Sequence, residues 1–62
     1  MTITTEERTI TVYEDVPKCA FYIVDSDHPE TLHPVGYAQG DDDDRENAKN
    51  EADDRALHMA DD

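Results

Sequence analysis

The last 22 residues constrain the fold most, because they combine ten of the chain's seventeen carboxylates with alanines at helical spacing. At 100° per residue, Ala48, Ala52, Ala56 and Met59 fall within an arc of about 80°. A narrow stripe of small side chains is typical of a helix that lies close against a sheet. We therefore predict an acidic helix over about 42–60 whose docking face is this stripe.

The start of that helix is marked by a run of four aspartates that follows Gly40. An aspartate at the N-cap accepts hydrogen bonds from free backbone N–H groups, and carboxylates in the first turn favour the positive end of the helix dipole by roughly 0.3–1 kcal/mol each. The run therefore has a structural use at the helix start, whatever else it does.

Two segments before the helix have the patterns of strands. Polar and apolar residues alternate over Thr9–Tyr13, which predicts a first strand over about 8–14 with Ile10 and Val12 facing a core. The run over about 18–24 is nearly continuously apolar and predicts a second strand. In it, one face holds Cys19, Phe21 and Ile23, and the other holds Ala20, Tyr22 and Val24.

A third strand is expected over about 34–39, with Val35 and Tyr37 on one face. The preceding stretch, 25–33, is rich in turn formers and contains Pro29, and Pro34 follows it, so we interpret it as a loop. The predicted fold is therefore α+β: one domain over 1–62 with a three-stranded antiparallel sheet covered on one face by the C-terminal helix (βββα).

The chain's net charge of −12 indicates a class of partner. Such a protein repels nucleic acid and anionic membranes, so we expect it to bind neither directly, and it attracts the basic surfaces with which proteins hold nucleic acid. Adaptation to high salt would also produce an excess of acids, and so would selection for the solubility that acidic side chains confer. The net charge by itself is compatible with binding to a basic partner, with adaptation to high salt and with selection for solubility.

Cys19 is the single cysteine, so no internal disulfide can form. A secreted domain of this size usually needs one, and the polar N-terminal residues do not resemble a signal peptide. We therefore expect the protein to act in a reducing cytoplasm.

The predicted partner-binding surface is the carboxylate array of the helix. Ten acids over about 33 Å of helix give roughly half the charge density of duplex DNA. Loop acids Asp25, Asp27 and Glu30 would extend the array. An exposed leucine among the acids is either an apolar anchor or an ordinary surface residue. The candidate residues are Asp41, Asp42, Asp43, Asp44, Glu46, Glu51, Asp53, Asp54 and Leu57.

We expect no metal site, no cofactor and no enzymatic activity. Asp25, Asp27, His28 and His33 lie near one another in sequence, but the set falls short of a zinc ligand set, and the aspartate run lacks the spacing of a calcium-binding loop. Cys19 lacks the electropositive setting that a nucleophilic cysteine needs.

The segment from Val35-Gly36-Tyr37-Ala38 through the acidic turn to Arg45-Glu46-Asn47-Ala48-Lys49 resembles short phage-encoded proteins in which a strand passes through a polar turn into a helix that opens with Glu-Asn-Ala. In size and charge the chain is also similar to small acidic phage anti-CRISPR inhibitors. Some of these act as DNA mimics against type I surveillance complexes. The resemblance implies a phage-encoded inhibitor that acts in the cytoplasm of a bacterial host cell.

The expected function is that of a small acidic binding protein that mimics DNA and occupies the basic groove of a DNA-binding machine, in its sharpest version a type I CRISPR surveillance complex. The alternative is a small phage structural or interaction protein, or an antitoxin-like partner, whose acidity serves solubility. A half-covered sheet face leaves room for a homodimer as well as a monomer.

Overall fold

The computed structural model describes residues 1–61, which form a four-stranded antiparallel sheet with one helix packed on it. The elements are β1 (Thr2–Thr4), β2 (Thr9–Asp15), a single 3-10 turn (Val16–Lys18), β3 (Ala20–Asp25), β4 (His28–Gly36) and α1 (Asp42–Asp61). The strands lie in the order β1-β2-β3-β4. The α+β class and the C-terminal helix are confirmed, whereas the expected number of three strands is wrong.

The additional strand is β1, which pairs with β2 so that Ile3 lies opposite Ile10. The hairpin between them is closed by Thr5, whose N–H donates to the Arg8 carbonyl at 2.8 Å. A segment of three residues with one apolar side chain is too short to show a period of two. Its pairing with β2, rather than its own pattern, makes it a strand.

The expected loop over 25–33 is also wrong, because most of it belongs to β4. Ser26 and Asp27 form a tight turn, and β4 then runs beside β3 with Val35 opposite Phe21. A bulge at Val24/Asp25 absorbs the extra residues of β4. β4 is an edge strand, where proline is tolerated since only one side of the strand must supply ladder hydrogen bonds. Pro29 and Pro34 therefore mark an edge and not a loop.

Two further strand boundaries differ from the sequence prediction. Cys19 lies outside β3, in the left-handed conformation with φ of 51° that ends the 3-10 turn. It therefore does not share a strand face with Phe21. At the other boundary, Tyr37 lies beyond β4, and its N–H donates to the Cys19 carbonyl at 2.9 Å. This bond ties the end of the sheet to the segment that leads into α1.

The register divides the sheet into two faces, of which one is covered by α1. Val12 lies opposite Ile23, and Phe21 lies opposite Val35, so these apolar side chains share the covered face. The core consists of Ile10, Val12, Phe21, Ile23, Val35, Ala48, Ala52 and Ala56. Only Ile10 and Ile23 are large side chains that are fully buried, so the core is thin, as expected for a domain of this size.

α1 contributes three buried residues to that core, Ala48, Ala52 and Ala56. Met59 is half-buried and packs against the same cluster. The predicted docking stripe is therefore confirmed, and so is the predicted helix. Because alanine has no side chain beyond Cβ, the helix backbone can approach the sheet closely over these turns.

One carboxylate on the covered face, Glu14, joins the sheet to the start of α1. The Arg45 guanidinium donates two hydrogen bonds to it, from Nε at 2.7 Å and from Nη2 at 2.8 Å. The Tyr37 hydroxyl donates a third at 2.5 Å. A bidentate arginine–carboxylate pair has a defined geometry that a single contact lacks. It sets the position of the first turn of α1 over β2.

These bonds favour the ionised form of Glu14. Hydrogen bonding by Arg45, and then by Tyr37, lowers the pKa of the Glu14 carboxyl from 4.5 to about 2. The same contacts raise the pKa of Arg45 and, through the hydrogen bond to Glu14, that of Tyr37. The Arg45 guanidinium also lies 6.0 Å from the centre of the Phe21 ring. Glu14 and Arg45 therefore form an ionised pair that covers one end of the core.

At the opposite end of the covered face, Asp25 is 4% exposed and pairs with Arg8 at 3.3 Å. Its second oxygen accepts the Asp27 N–H at 3.0 Å, which stabilises the β3–β4 turn. A buried carboxylate needs such partners, because an unpaired charge away from water is strongly unfavourable. Asp25 therefore has a structural role, and the expectation that it extends an exposed acidic array is wrong.

We predict that Ala52→Leu destabilises the protein by about 1–3 kcal/mol, because the larger side chain has no space between the helix and the sheet. The measurement is the free energy of unfolding in urea. Asn50→Leu places the same side chain on an exposed position of α1 and is expected to change stability by less than about 0.5 kcal/mol. Equal effects of the two variants would contradict the close packing of the alanine stripe.

We predict that the stability difference between the wild type and Glu14→Gln depends on pH. The folded-state pKa is lowered, so the contribution of ionised Glu14 is fully present above pH 4.5 and is lost as pH falls from there towards 2. Urea unfolding at several pH values measures this. A stability difference that stays constant from pH 6 to 2 would show that ionised Glu14 does not stabilise the fold through Arg45 and Tyr37. Glu46→Gln, at an exposed acid of α1, is the control.

Candidate partner-binding surface

The candidate surface is the side of α1 that faces away from the sheet. Because the alanine stripe is buried, helical geometry turns the positions half a turn away towards solvent. We call the exposed carboxylates of α1 the acidic face: Asp42, Asp43, Glu46, Glu51, Asp54 and Asp61. Five of these six were candidate residues in the sequence analysis. Their contact with a partner stays a prediction.

Two other candidates are occupied by helix capping. Asp41 is the N-cap residue, since its side chain accepts the Asp44 N–H at 3.0 Å and its carbonyl accepts the Arg45 N–H at 3.0 Å. Asp44 is half-buried, and its carboxylate accepts the Ala38 N–H at 2.6 Å. These two carboxylates hold the connection between β4 and α1, so part of the aspartate run serves the fold.

The remaining candidates lie in the second half of α1. Asp53 is half-buried, unlike the exposed acids of the acidic face, and its contact with a partner stays a prediction. Glu51 lies 3.7 Å from Arg55, and Asp54 lies 3.6 Å from His58; both are pairs at i,i+4 spacing between exposed side chains. Exposed pairs of this kind are worth little, so these acids remain available to a partner.

The acidic face is not a uniform rod of charge. The segment 47–50 contains no acid, so Glu46 and Glu51 are separated by about 7.5 Å of helix rise. Each strand of duplex DNA carries one phosphate per roughly 3.4 Å of axis. The carboxylates therefore form two groups, one at the first turn and one in the second half of the helix, with Asn47 and Asn50 between them.

Leu57 is exposed to 54% and lies beside Asp54 on the second half of the helix. The prediction that it is exposed among acids is confirmed. An apolar side chain of this size amid charge has the properties of an interface anchor, although single exposed leucines are also common on protein surfaces.

Two hairpin turns bring further carboxylates to the C-terminal end of α1. Glu6 and Glu7 in the β1–β2 turn and Asp27 in the β3–β4 turn line one recess together with Ala60. Glu6 and Glu7 were not among the candidates from sequence, because they lie more than fifty residues from that helix end and no local pattern connects them. Glu30, which was expected to extend the array, is exposed within β4.

Two kinds of feature are absent from the described part of the chain. Among residues 1–61, no group of three or more His, Cys, Asp or Glu side chains is arranged as metal ligands would be. Over the same residues, no helix has both the length and the apolar character that crossing a bilayer requires.

We predict that Asp41→Ala destabilises the protein by about 0.5–2 kcal/mol, because the Asp44 N–H loses its acceptor at the helix start. Asp41→Asn keeps an oxygen at the same position and is expected to cost only a few tenths of a kcal/mol. Urea unfolding of both variants separates the hydrogen bond from the charge. If both substitutions cost the same, charge at the helix dipole and not capping would explain the role of Asp41.

Comparisons of the chain with protein-family models, with curated proteins and with solved structures found no match.

Proposed function

We propose that this protein is a binding protein that presents the acidic face of α1 to the basic groove of a nucleic-acid-binding protein and so excludes the nucleic acid. Inhibition would be competitive and would involve no chemistry on either protein. The single observation that supports this proposal most is the exposure of six carboxylates on one helix whose alanine stripe is buried.

The positions of two arginines support the same proposal. Arg8 pairs with buried Asp25, and Arg45 pairs with Glu14 on the covered face of the sheet. Both arginines thus compensate carboxylates that stabilise the fold. The six carboxylates of the acidic face then outnumber the two other cations of α1, Lys49 and Arg55. The negative potential of the acidic face would attract a basic surface and raise the association rate.

The sharpest version of the proposal is inhibition of a DNA-binding machine such as a type I CRISPR surveillance complex by DNA mimicry. A groove that holds duplex DNA presents arginines and lysines at the spacing of phosphates, and carboxylates form charge-assisted hydrogen bonds with both side chains. The two groups of acids on α1 would contact two separate sets of basic residues. The recess at Glu6, Glu7 and Asp27 would extend this contact beyond the helix end.

The alternative is an interaction protein that binds through the sheet and whose acids serve solubility. The observation that favours it is the uncovered face of the sheet, where Tyr13 and Leu32 are 42% and 48% exposed. Binding through that face would depend on apolar contact and would be insensitive to salt. The two proposals therefore differ in a quantity that can be measured directly.

We predict that the double variant Glu46→Gln/Asp54→Asn weakens partner binding by about twofold to thirtyfold, since an exposed ion pair is worth roughly 0.2–1 kcal/mol. Asp15→Asn/Glu30→Gln removes the same charge away from the acidic face and is the matched control. The partner is first captured from host lysate at 50 mM salt, and affinities for the purified partner are then measured at 50 and 200 mM salt, with and without duplex DNA.

Support for the proposal requires that binding weakens steeply with salt, that duplex DNA displaces the protein, and that the control variant binds like the wild type. A partner that is retained at high salt and is not displaced by DNA would overturn the proposal and favour the alternative. Circular dichroism of both variants checks that the fold is intact.

A further inference from the structure

The face of the sheet that α1 does not cover is almost free of charge. From the register, it carries the side chains of Thr2, Thr4, Thr9, Thr11, Tyr13, Asp15, Ala20, Tyr22, Val24, Leu32 and Pro34. Asp15 at one end is the single carboxylate or basic group among these paired positions, in a chain in which charged residues make up 35%. Glu30, two residues before Leu32, lies in the stretch of β4 at the bulge that has no partner in the register. We call this surface the open face.

Apolar groups are continuous across the middle of the open face. The Tyr13 and Tyr22 rings stack with centres 5.6 Å apart and an angle of 21° between their planes. Pro34 lies opposite Tyr22 on the next strand, and Leu32 lies opposite Val24. The largest apolar patch on a small protein is often the site at which another surface binds.

We propose that a second copy of this chain covers the open face, so that the protein forms a dimer in which two sheets pack face to face and the two α1 helices lie outside. The proposal is independent of the proposed function. It concerns a different surface, and it predicts an association that does not weaken as the salt concentration is raised.

Charge geometry favours a second copy in this orientation. Packed layers of sheets and helices are spaced by about 10 Å, so the two acidic helices would lie on the order of 30 Å apart. The Debye length is about 8 Å at physiological salt, so repulsion between the acidic faces is largely screened at that distance. Contacts through α1 itself would instead bring two acidic faces together. The open face is thus the surface through which two copies of a chain with net charge −12 can associate.

The shape of the open face suits a two-fold interface. In a two-fold interface the same patch of each copy contacts the other copy, so any charged residue near the axis would meet its own like charge. A patch that is almost free of charge avoids this repulsion. The tyrosine stack lies on the two central strands, and a two-fold axis near it would place the aromatic rings of the two copies in contact. Tyrosine buries an apolar ring while its hydroxyl remains able to hydrogen-bond.

The available area limits the size of the interface. The four strands contain 3, 7, 6 and 9 residues, and at about 3.4 Å of rise per residue and about 4.8 Å of strand spacing they give a footprint of roughly 410 Å² per copy. The two footprints together are about 820 Å² and fall within the class of weak interfaces below about 1,200 Å². We therefore expect a weak, reversible dimer whose population depends on protein concentration.

The test is sedimentation velocity of the purified protein from about 5 to 500 µM, with a matched pair of variants. Leu32 on the open face and Leu57 on α1 are exposed to 48% and 54%, so Leu32→Lys and Leu57→Lys make the same change at equally exposed positions on opposite sides of the molecule. We expect the wild type and Leu57→Lys to dimerise, and Leu32→Lys to raise the dissociation constant at least tenfold. Leu32→Gln, a milder change, serves if the lysine variant does not fold.

Salt provides a second readout. Since the contact is uncharged and the helices repel only weakly, raising salt from 50 to 500 mM should leave the dimer unchanged or strengthen it. A wild-type protein that remains monomeric at 500 µM would overturn the proposal. So would a dimer that is lost in Leu57→Lys and kept in Leu32→Lys, because α1 would then form the interface.

Discussion

The close contact between the alanines of α1 and the covered face of the sheet is the interaction on which the rest of the structure depends. Ala48, Ala52 and Ala56 are the residues through which α1 enters the core. Because they are small, most of the apolar volume comes from side chains of the sheet, above all Ile10 and Ile23. The helix can therefore be polar over the rest of its circumference, and it still has one defined orientation on the sheet.

The carboxylates of this chain serve two distinct purposes. Glu14 and Asp25 lie at opposite ends of the covered face, and each holds an arginine there. Asp41 and Asp44 accept backbone N–H groups at the start of α1. These four acids position the helix and close the ends of a thin core. The exposed acids of the acidic face make no comparable contacts with buried groups or with the backbone, which is the physical basis for the proposal that they bind a partner.

The two layers of the fold separate charge from apolar surface. The helix layer presents carboxylates to solvent, and the sheet layer presents threonines, two tyrosines and aliphatic side chains. A partner that binds the first layer is selected by charge and is sensitive to salt, whereas a partner that binds the second is selected by apolar contact. The proposed inhibition and the proposed dimerisation can therefore occur together, since they use opposite sides of the molecule.

The sequence by itself determined the elements whose signal is local. The 3.6-residue spacing of alanines indicated α1 and its buried stripe, and the patterns around Ile10 and Ile23 indicated β2 and β3. Only the tertiary structure decided β1 and the extent of β4, because both are strands through their pairing with neighbours and not through their own pattern. The tertiary structure also decided which acids stabilise the fold and which are exposed to solvent. A carboxylate near Arg45 or Arg8 in space is distant from it in sequence, and burial, which separates a structural acid from an exposed one, is a property of the assembled fold.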